Sequence, residues 1–134
     1  MLEYSHEFIY TLWDLGQPVW KGSALNPIIP QIQDEDDNVR LKVAFDHHTH
    51  PETLALLCHD VSWRVRRGVA VNPSTPREIL TLLSQDVDPF VRRDVVGNPN
   101  TPLDVLITLS KDYYSGVRWY VAKDSNTPPE ILAT

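Results

Sequence analysis

Three histidines in one short loop are the residues of this chain best suited to metal chemistry. The loop reads His47-His48-Thr49-His50, and Asp46 precedes it. Imidazole nitrogens bind zinc or nickel, and a carboxylate can complete such a ligand set. Adjacent histidines point in different directions, however, and no second pair with ligand spacing follows. We therefore interpret the loop as surface variation at a turn, keep His47, His48 and His50 as weak metal candidates, and predict no cofactor.

Cys58 and His59 are the only cysteine–histidine pair that suggests nucleophilic catalysis. Neighbouring residues on a helix point roughly 100° apart, so the imidazole is badly placed to activate the thiol. Cys58 also stands where Ser84 and Ser110 stand in later copies of a repeated pattern, which favours a small packing residue. The sequence contains no glycine-rich phosphate-binding loop and no Ser or Cys nucleophile within a recognisable catalytic motif. The chain is predicted not to be an enzyme.

A third set of residues suits binding rather than catalysis. It consists of Arg64, Arg67 and Arg93 interleaved with Trp63, Phe90, Trp119 and Tyr120. Arginine and aromatic residues are enriched at protein-binding hot spots. They also suit nucleic acid, through phosphate pairing and base stacking. We predict a protein-binding site, with a nucleic-acid-binding module as the alternative, because the chain carries a net charge of −6 and has a pI of about 5.2.

The charge is unevenly distributed along the chain. Residues 1–60 hold 10 acidic and 3 basic side chains, whereas residues 61–123 hold 6 acidic and 9 basic side chains. This asymmetry is either a functional feature or an ordinary solvated surface.

The elements that must position these residues recur every 26 residues. The residues that keep this step are Asp34, Asp60, Asp86, Asp112; Arg40, Arg66, Arg92, Arg118; Thr49, Thr75, Thr101, Thr127; Asp46, Asn72, Asn98, Asp124; Val43, Val69, Val95, Val121; and Leu54, Leu80, Leu106, Leu132. A fixed period of this length is typical of stacked-repeat proteins.

Residues kept in every copy are usually structural, so we predict that each Arg bonds a carboxylate or helix-end carbonyls of its own or the adjacent unit. The Asn series is predicted to satisfy backbone groups in the turn.

Each unit is predicted to contain two short helices. The first begins after a cap such as Asp36, Ser62 or Asp88. Gly97-Asn98-Pro99 is predicted to end it, since Gly and Asn tolerate a left-handed backbone and Pro cannot continue a helix. The second begins with Thr-Pro-x-Glu/Asp, as at Thr75, which has the form of a capping box with Thr at the N-cap. The apolar positions that follow predict a helix of roughly nine residues. Such short helices must stack to bury their apolar faces.

The repeated string Val-Arg-Arg-x-Val-x-x-Asn-Pro-x-Thr-Pro-x-Glu/Asp-x-Leu resembles the leucine-rich repeat variant family, over about residues 34–134. The resemblance implies an all-α fold in which two-helix repeats stack into a right-handed α-solenoid, a superhelix similar to HEAT and armadillo arrays. It also implies a binding scaffold with no particular chemistry. The cysteine-rich iron–sulfur segment of some relatives is absent, because the chain has one Cys.

We predict one domain over residues 1–134, with an N-terminal cap at 1–22, a degenerate half repeat at 23–33 and repeats at 34–59, 60–85, 86–111 and 112–134. The cap is predicted to hold a helix over Glu7 to Leu15. The lone Cys58 fits a reducing cytoplasm. No signal peptide or membrane-spanning run of apolar residues is evident in the sequence.

The C-terminal unit is predicted to leave an apolar patch uncovered. Ile131 and Leu132 pack back on the preceding unit, while the outer side of their layer lacks a cover in the sequence. Such patches mark association sites. We predict an unknown protein partner, no membrane, and a homodimer through this C-terminal end, with partner docking and fraying of the last helix as the alternatives.

Overall fold

The computed structural model describes residues 29–125 and 127–132, and within these residues it contains helices and no strand. A short helix, α1 (Ile29–Ile32), precedes a regular alternation of two kinds of helix. The first helices of the repeats are α2 (Asp37–Phe45), α4 (Trp63–Val71), α6 (Pro89–Val96) and α8 (Ser115–Lys123). The second helices are α3 (Pro51–Leu57), α5 (Arg77–Leu83), α7 (Leu103–Leu109) and α9 (Pro129–Leu132). The all-α prediction is confirmed for these residues.

The first helices form the closely packed layer of this α-solenoid. α2 contacts α4, α4 contacts α6, and α6 contacts α8, whereas each second helix mainly contacts the first helices of its own and the next repeat. The valines four residues apart on the first helices are fully buried between the layers, as at Val65, Val69, Val91 and Val95. Helices of seven to nine residues do not persist alone in water, so this packing stabilises them.

An Asp–Arg ladder joins each repeat to the next. Arg92 donates from Nε to Asp112 Oδ2 at 2.8 Å and from Nη2 to Asp112 Oδ1 at 3.1 Å. Its Nη1 donates to the carbonyl of Asp86 in its own repeat at 2.7 Å. The same three bonds recur from Arg40 to Asp60 and Asp34, and from Arg66 to Asp86 and Asp60. The predicted pairing is confirmed: the carboxylate comes from the next repeat and the carbonyl from the same one.

A second ladder uses asparagine. Asn98 donates from Nδ2 to the carbonyls of Ala70 and Asn72, at 2.8 and 2.9 Å, and accepts from the Asn100 amide. Asn72 repeats this arrangement one unit earlier. The amide therefore satisfies backbone groups of two successive repeats, because a side-chain NH₂ offers two donors beside an acceptor oxygen. The prediction that this series serves the turn is confirmed, and the bonds to the preceding repeat are an addition to it.

The predicted N-caps of the first helices are confirmed in part. Asp36 accepts from the Asn38 amide, and Asp88 accepts from the amides of Phe90 and Val91. Ser62 occupies the N-cap position but makes no capping bond, and its hydroxyl instead donates to Asp37 Oδ2 of the preceding repeat at 3.0 Å. Ser62 thus uses its hydroxyl hydrogen as a donor to the Asp37 carboxylate, whereas a capping hydroxyl would use its oxygen to accept from a helix amide.

The predicted capping box of the second helices is wrong. Pro76 and Pro102, and not the threonines before them, occupy the N-cap of α5 and α7. The Thr75 hydroxyl donates to the Val69 carbonyl at 2.6 Å, at the end of the preceding first helix. The Thr therefore donates to a carbonyl in the last turn of the helix it follows, and this carbonyl also accepts from the Asn72 amide. Because these helices begin after the proline, α5 and α7 have seven residues instead of nine.

The predicted left-handed stop at Gly97 is also wrong. Gly97 has φ of −75°, in the right-handed region. The C-cap residue of α4 in the preceding repeat is Asn72, which is extended, with φ of −70° and ψ of 122°, and Pro73 follows it. A residue before proline is pushed out of the helical region by the proline ring, so the proline ends these helices.

The predictions for the N-terminal cap at 1–22 and the helix within it lie outside the described residues. Of the half repeat at 23–33, the structure describes α1, which has four residues and Pro30 at its second position.

We expect Arg92→Ala to lower the free energy of unfolding by about 1–3 kcal/mol, because it removes a buried ion pair and leaves Asp112 without its partner. Arg118→Ala is the matched control, since Arg118 has the same position in the repeat but is exposed and, among the residues described, bonds only the Asp112 carbonyl. It should change stability by less than about 0.5 kcal/mol. Urea unfolding followed by circular dichroism measures both. Equal losses in the two variants would contradict a structural role for the ladder.

Candidate binding face

The seven residues predicted to bind lie together on the first helices. Trp63, Arg64 and Arg67 are on α4, Phe90 and Arg93 on α6, and Trp119 and Tyr120 on α8. We call this set the aromatic–arginine face. Its residues turn outward because the buried valines occupy the opposite side of the same helices. Trp119 is 61% exposed, and Trp63 and Phe90 are each 41% exposed.

The arginines of this face are held by carboxylates, two of them by a carboxylate of a neighbouring repeat and Arg93 by one of its own helix. Arg64 lies 3.3 Å from Asp37 Oδ1 and donates to Asn38, both on α2. Arg67 on α4 pairs with Asp94 on α6, and Arg93 pairs with the same carboxylate at 3.2 Å. These pairs tie α2 to α4 and α4 to α6 on the outer side of the layer.

Asp94 is the residue on which the centre of this arrangement depends. Its side chain is only 8% exposed and lies between Arg67 and Arg93. One repeat earlier the equivalent position is Gly68, where a Cβ would lie 2.8 Å from the Cβ of Ala44. The equivalent position one repeat later is Tyr120. The residue at this position therefore differs in size and charge from one repeat to the next.

Aromatic rings and cations alternate across the three helices. The guanidinium carbon of Arg67 lies 5.7 Å from the Trp63 ring centroid, and that of Arg93 lies 5.1 Å from Phe90 and 5.7 Å from Tyr120. The rings of Trp63 and Phe90 are 6.2 Å apart. Cations at these distances are attracted to the ring faces. The arginines are thus ordered both by carboxylates and by aromatic rings.

A groove of about 260 Å³ opens between α6 and α8. The residues that line it are Pro89, Phe90, Arg93, Tyr114, Gly116, Val117, Trp119 and Tyr120. Its walls are mainly aromatic, with one cation at the side. A groove of this composition suits an apolar side chain flanked by groups that accept hydrogen bonds. Three arginines facing two carboxylates leave little free positive charge for a polyanion.

Sequence reasoning missed three residues that contribute to this face. Asp94 neutralises two arginines, Tyr114 lines the groove, and Lys123 lies 5.9 Å from the Trp119 ring. The sequence signal for Asp94 was its position. It is an acidic residue in the register of Gly68 and Tyr120, it directly follows Arg93, and it lies about one repeat after Arg67. No comparable signal marks Tyr114 or Lys123.

The histidine loop lies away from this face, at the turn before α3. The candidate ligand atoms of Asp46, His47 and His48 lie within 4.8 Å of one another, and all three residues are exposed. His48 Nδ1 is 3.4 Å from Asp46, and the backbone bond from His48 lowers the pKa of Asp46. His50 is the N-cap residue of α3 and is outside the group. The loop therefore offers three solvent-exposed ligands and no buried shell.

Cys58 is a packing residue, as predicted. The thiol is buried and donates to the Ala55 carbonyl at 3.1 Å. Burial raises its pKa to about 12. A thiol with this pKa is protonated at neutral pH and is therefore a poor nucleophile.

Comparison with protein families identifies a match within the repeats. The model of the leucine rich repeat variant family matches residues 63–88, which span α4, α5 and the turn before α6. The match confirms the resemblance in one repeat length, and the ladders carry the same contacts into neighbouring repeats. The repeats of this family are non-enzymatic modules. Comparisons with curated proteins and with solved structures give no significant match. Among the described residues, no helix is long and apolar enough to cross a membrane.

We expect Asp94→Asn to lower the free energy of unfolding by about 1 kcal/mol, because it weakens two partly exposed ion pairs, one that joins α4 to α6 and one within α6. The loss should shrink in 1 M salt, where such pairs are screened. Asp104→Asn, at an exposed position on α7, is the control. A loss in Asp94→Asn that is independent of salt would contradict the electrostatic account.

We expect Cys58 in the native protein to resist thiol reagents at pH 8, because little thiolate forms below a pKa of about 12. Reaction with a chromogenic disulfide reagent, followed with and without urea, measures this. The rate should follow the unfolded fraction and rise only as the helices unfold. Rapid reaction of the folded protein would show that the thiol is accessible.

Proposed function

We propose that this protein is a non-catalytic protein-interaction scaffold whose partner binds across the aromatic–arginine face. The observation that supports this most strongly is the recurrence of exposed aromatic side chains on the same side of three successive first helices. Monomeric proteins rarely expose large apolar side chains side by side without a partner for them. Aromatic and arginine residues are also the commonest anchors of protein interfaces.

The geometry supports binding by a surface that is ordered before the partner arrives. Arg67 and Arg93 are already fixed by Asp94 and by ring faces, so binding loses less of their side-chain entropy. The groove beside Trp119 would take one apolar side chain of the partner, and Trp63 and Phe90 would pack against residues on either side of it. Each guanidinium keeps N–H groups beyond those used by Asp94, and these can donate to partner carbonyls.

We propose the following architecture for this scaffold. Repeats at 34–59, 60–85, 86–111 and 112–134 form one domain with residues 1–33 and wind into a right-handed superhelix. The support is that the Asp–Arg and Asn ladders recur at the 26-residue step, which gives successive repeats a similar rotation. The closer packing of the first helices supports a concave side that carries the aromatic–arginine face. A free, buried Cys58 supports the cytoplasm as the compartment.

Nucleic acid is the less favoured partner. All three arginines of the face pair with Asp37 or Asp94, and the chain as a whole carries a net charge of −6. Binding to a polyanion depends on cations that are free to neutralise phosphates. The exposed rings could stack on bases, but they would do so on a surface that supplies little electrostatic attraction.

Selection of peptides from a displayed random library against the whole chain tests the proposal. We expect enriched peptides to lose at least about tenfold in affinity for Phe90→Ala and Trp119→Ala, because each substitution removes a wall of the groove. Val87→Ala is the matched control: Val87 is an exposed apolar residue in the turn before α6, outside the groove. Fluorescence anisotropy with labelled peptides gives the affinities.

Two outcomes contradict the proposal. The first is that no peptide distinguishes the groove variants from the Val87→Ala control. The second is tight binding of labelled single- or double-stranded oligonucleotides at low salt, with a steep loss of affinity as salt increases. That result would make the face a nucleic-acid surface.

A further inference from the structure

The centre of the aromatic–arginine face carries two cations and one carboxylate. Arg67 donates from Nε to Asp94 Oδ2, and Arg93 donates from Nε and Nη2 to Asp94 Oδ1. Both oxygens of this buried carboxylate are therefore used within the protein. The two guanidiniums share a single negative charge, so the three side chains together retain one positive charge.

The hydrogen-bonding capacity of these two guanidiniums is only partly used. A guanidinium has five N–H donors. Among the described residues, Arg67 bonds Asp94 through Nε alone, and Arg93 uses Nε and Nη2. Their side chains are 34% and 31% exposed, so part of each is accessible to a ligand. Free donors and a net positive charge thus occur at the same place on the surface.

The other cations of the face have an acidic residue beside them. Arg64 pairs with Asp37 on α2, and Lys123 directly precedes Asp124, the C-cap residue of α8. The surplus of positive charge is therefore centred on Asp94 and its two arginines. Both α4 and α6, which carry these three side chains, have another first helix packed on either side. The surplus thus belongs to the interior of the array.

The groove between α6 and α8 adjoins this positive charge, because Arg93 is one of the residues that line it. The guanidinium carbon of Arg93 lies 5.1 Å from the ring centroid of Phe90, which forms another wall. The groove, of about 260 Å³, is smaller than the roughly 300–1,000 Å³ of sites that bind drug-sized ligands. This size suits one side chain of a peptide. A side chain in the groove would therefore lie next to the charge surplus.

We propose that the partner segment bound by this face carries an acidic side chain beside the apolar side chain that enters the groove. This inference rests on the proposed function. The Asp or Glu carboxylate of the partner would accept from Arg67 and Arg93, through N–H groups that Asp94 leaves free. The partner segment is thus apolar with a single acidic residue.

Charge complementarity favours this occupant over a basic or a uniformly apolar segment. One added carboxylate makes the cluster of Arg67, Arg93 and Asp94 neutral, whereas a basic side chain would face a like charge. Hydrogen bonds from a guanidinium to a carboxylate are also stronger than those to a neutral acceptor. A segment with several acidic residues gains little beyond the first, because the cluster has only one unbalanced charge.

Labelled peptides that differ only in charge test the proposal. The probes are the peptides enriched from the random library against the whole chain, resynthesised with Asp and Glu either retained or replaced by Asn and Gln. Every C-terminus is amidated, so that only side-chain carboxylates are compared. We expect the amide peptides to bind at least about tenfold more weakly in fluorescence anisotropy, because they lose a charged partner for the arginines.

A variant of the protein tests which charge is responsible. Arg67→Gln removes the surplus, because Arg93 alone then balances Asp94. The preference for the acidic peptide should fall below about twofold in this variant. Arg77→Gln is the matched control, since Arg77 is an exposed arginine on α5, outside the face, and the full preference should remain. Circular dichroism verifies that both variants are folded.

Failure of this proposal and failure of the proposed function are different results. Peptides that lose affinity for Phe90→Ala and Trp119→Ala, but bind equally well without their acidic residues, overturn this proposal and leave the proposed function intact. Enriched peptides that lack an acidic residue do the same, as does an Arg67→Gln variant that keeps the full preference. A library that yields no groove-dependent peptide overturns both.

Discussion

The bidentate bond between an arginine of one repeat and an aspartate of the next is the interaction on which this structure depends. Arg92 is buried, and the hydrogen bonds that it donates to Asp112 raise its pKa, so its guanidinium stays charged in the folded protein. The same guanidinium binds the Asp86 carbonyl at the start of its own repeat. One side chain therefore fixes the position of its own helix and that of the following repeat. The buried valines provide the apolar contacts between the helices, and the guanidinium fixes the register of one repeat against the next.

The outer side of the first helices uses the same chemistry for another purpose. Asp94 is as buried as an aspartate of the ladder, yet its two arginines are about one-third exposed. Its carboxylate fixes these cations beside Trp63 and Phe90 and prevents a purely basic surface. Ion pairing inside the layer thus determines the stacking of repeats, and ion pairing outside it determines the character of the surface offered to partners.

Periodicity predicted most of the fold. A residue that recurs at the same step in every copy is expected to make the same contact in every copy. On this basis a carboxylate could be predicted as a partner of Arg92, and backbone groups of the turn as partners of Asn98. Local motifs were less reliable. The Thr75 hydroxyl has a carbonyl within reach on the preceding helix, and this tertiary contact overrides the capping box that its sequence suggests. Of the two reasons given for the helix end near Gly97, the proline was correct and the left-handed glycine was wrong, because Gly97 has a right-handed backbone.

The candidate site was harder to predict because it lies where the repeats differ. The sequence identified arginine and aromatic residues on the correct helices, but their pairing with Asp94 depends on how far apart α4 and α6 lie. A position that is Gly68 in one repeat and Tyr120 in another carries no periodic signal.

The direction of the Arg–Asp bond also bears on how such a chain can grow. Segments 60–85 and 86–111 each bring an aspartate that the preceding segment binds and an arginine that binds the following one. A duplicated segment would therefore arrive with both halves of the bonds needed at its two new junctions. Gene duplication could lengthen the array without any further substitution at the interfaces. Outer positions such as Arg67 would then be free to diverge from copy to copy, while the contacts that hold the copies together stayed the same.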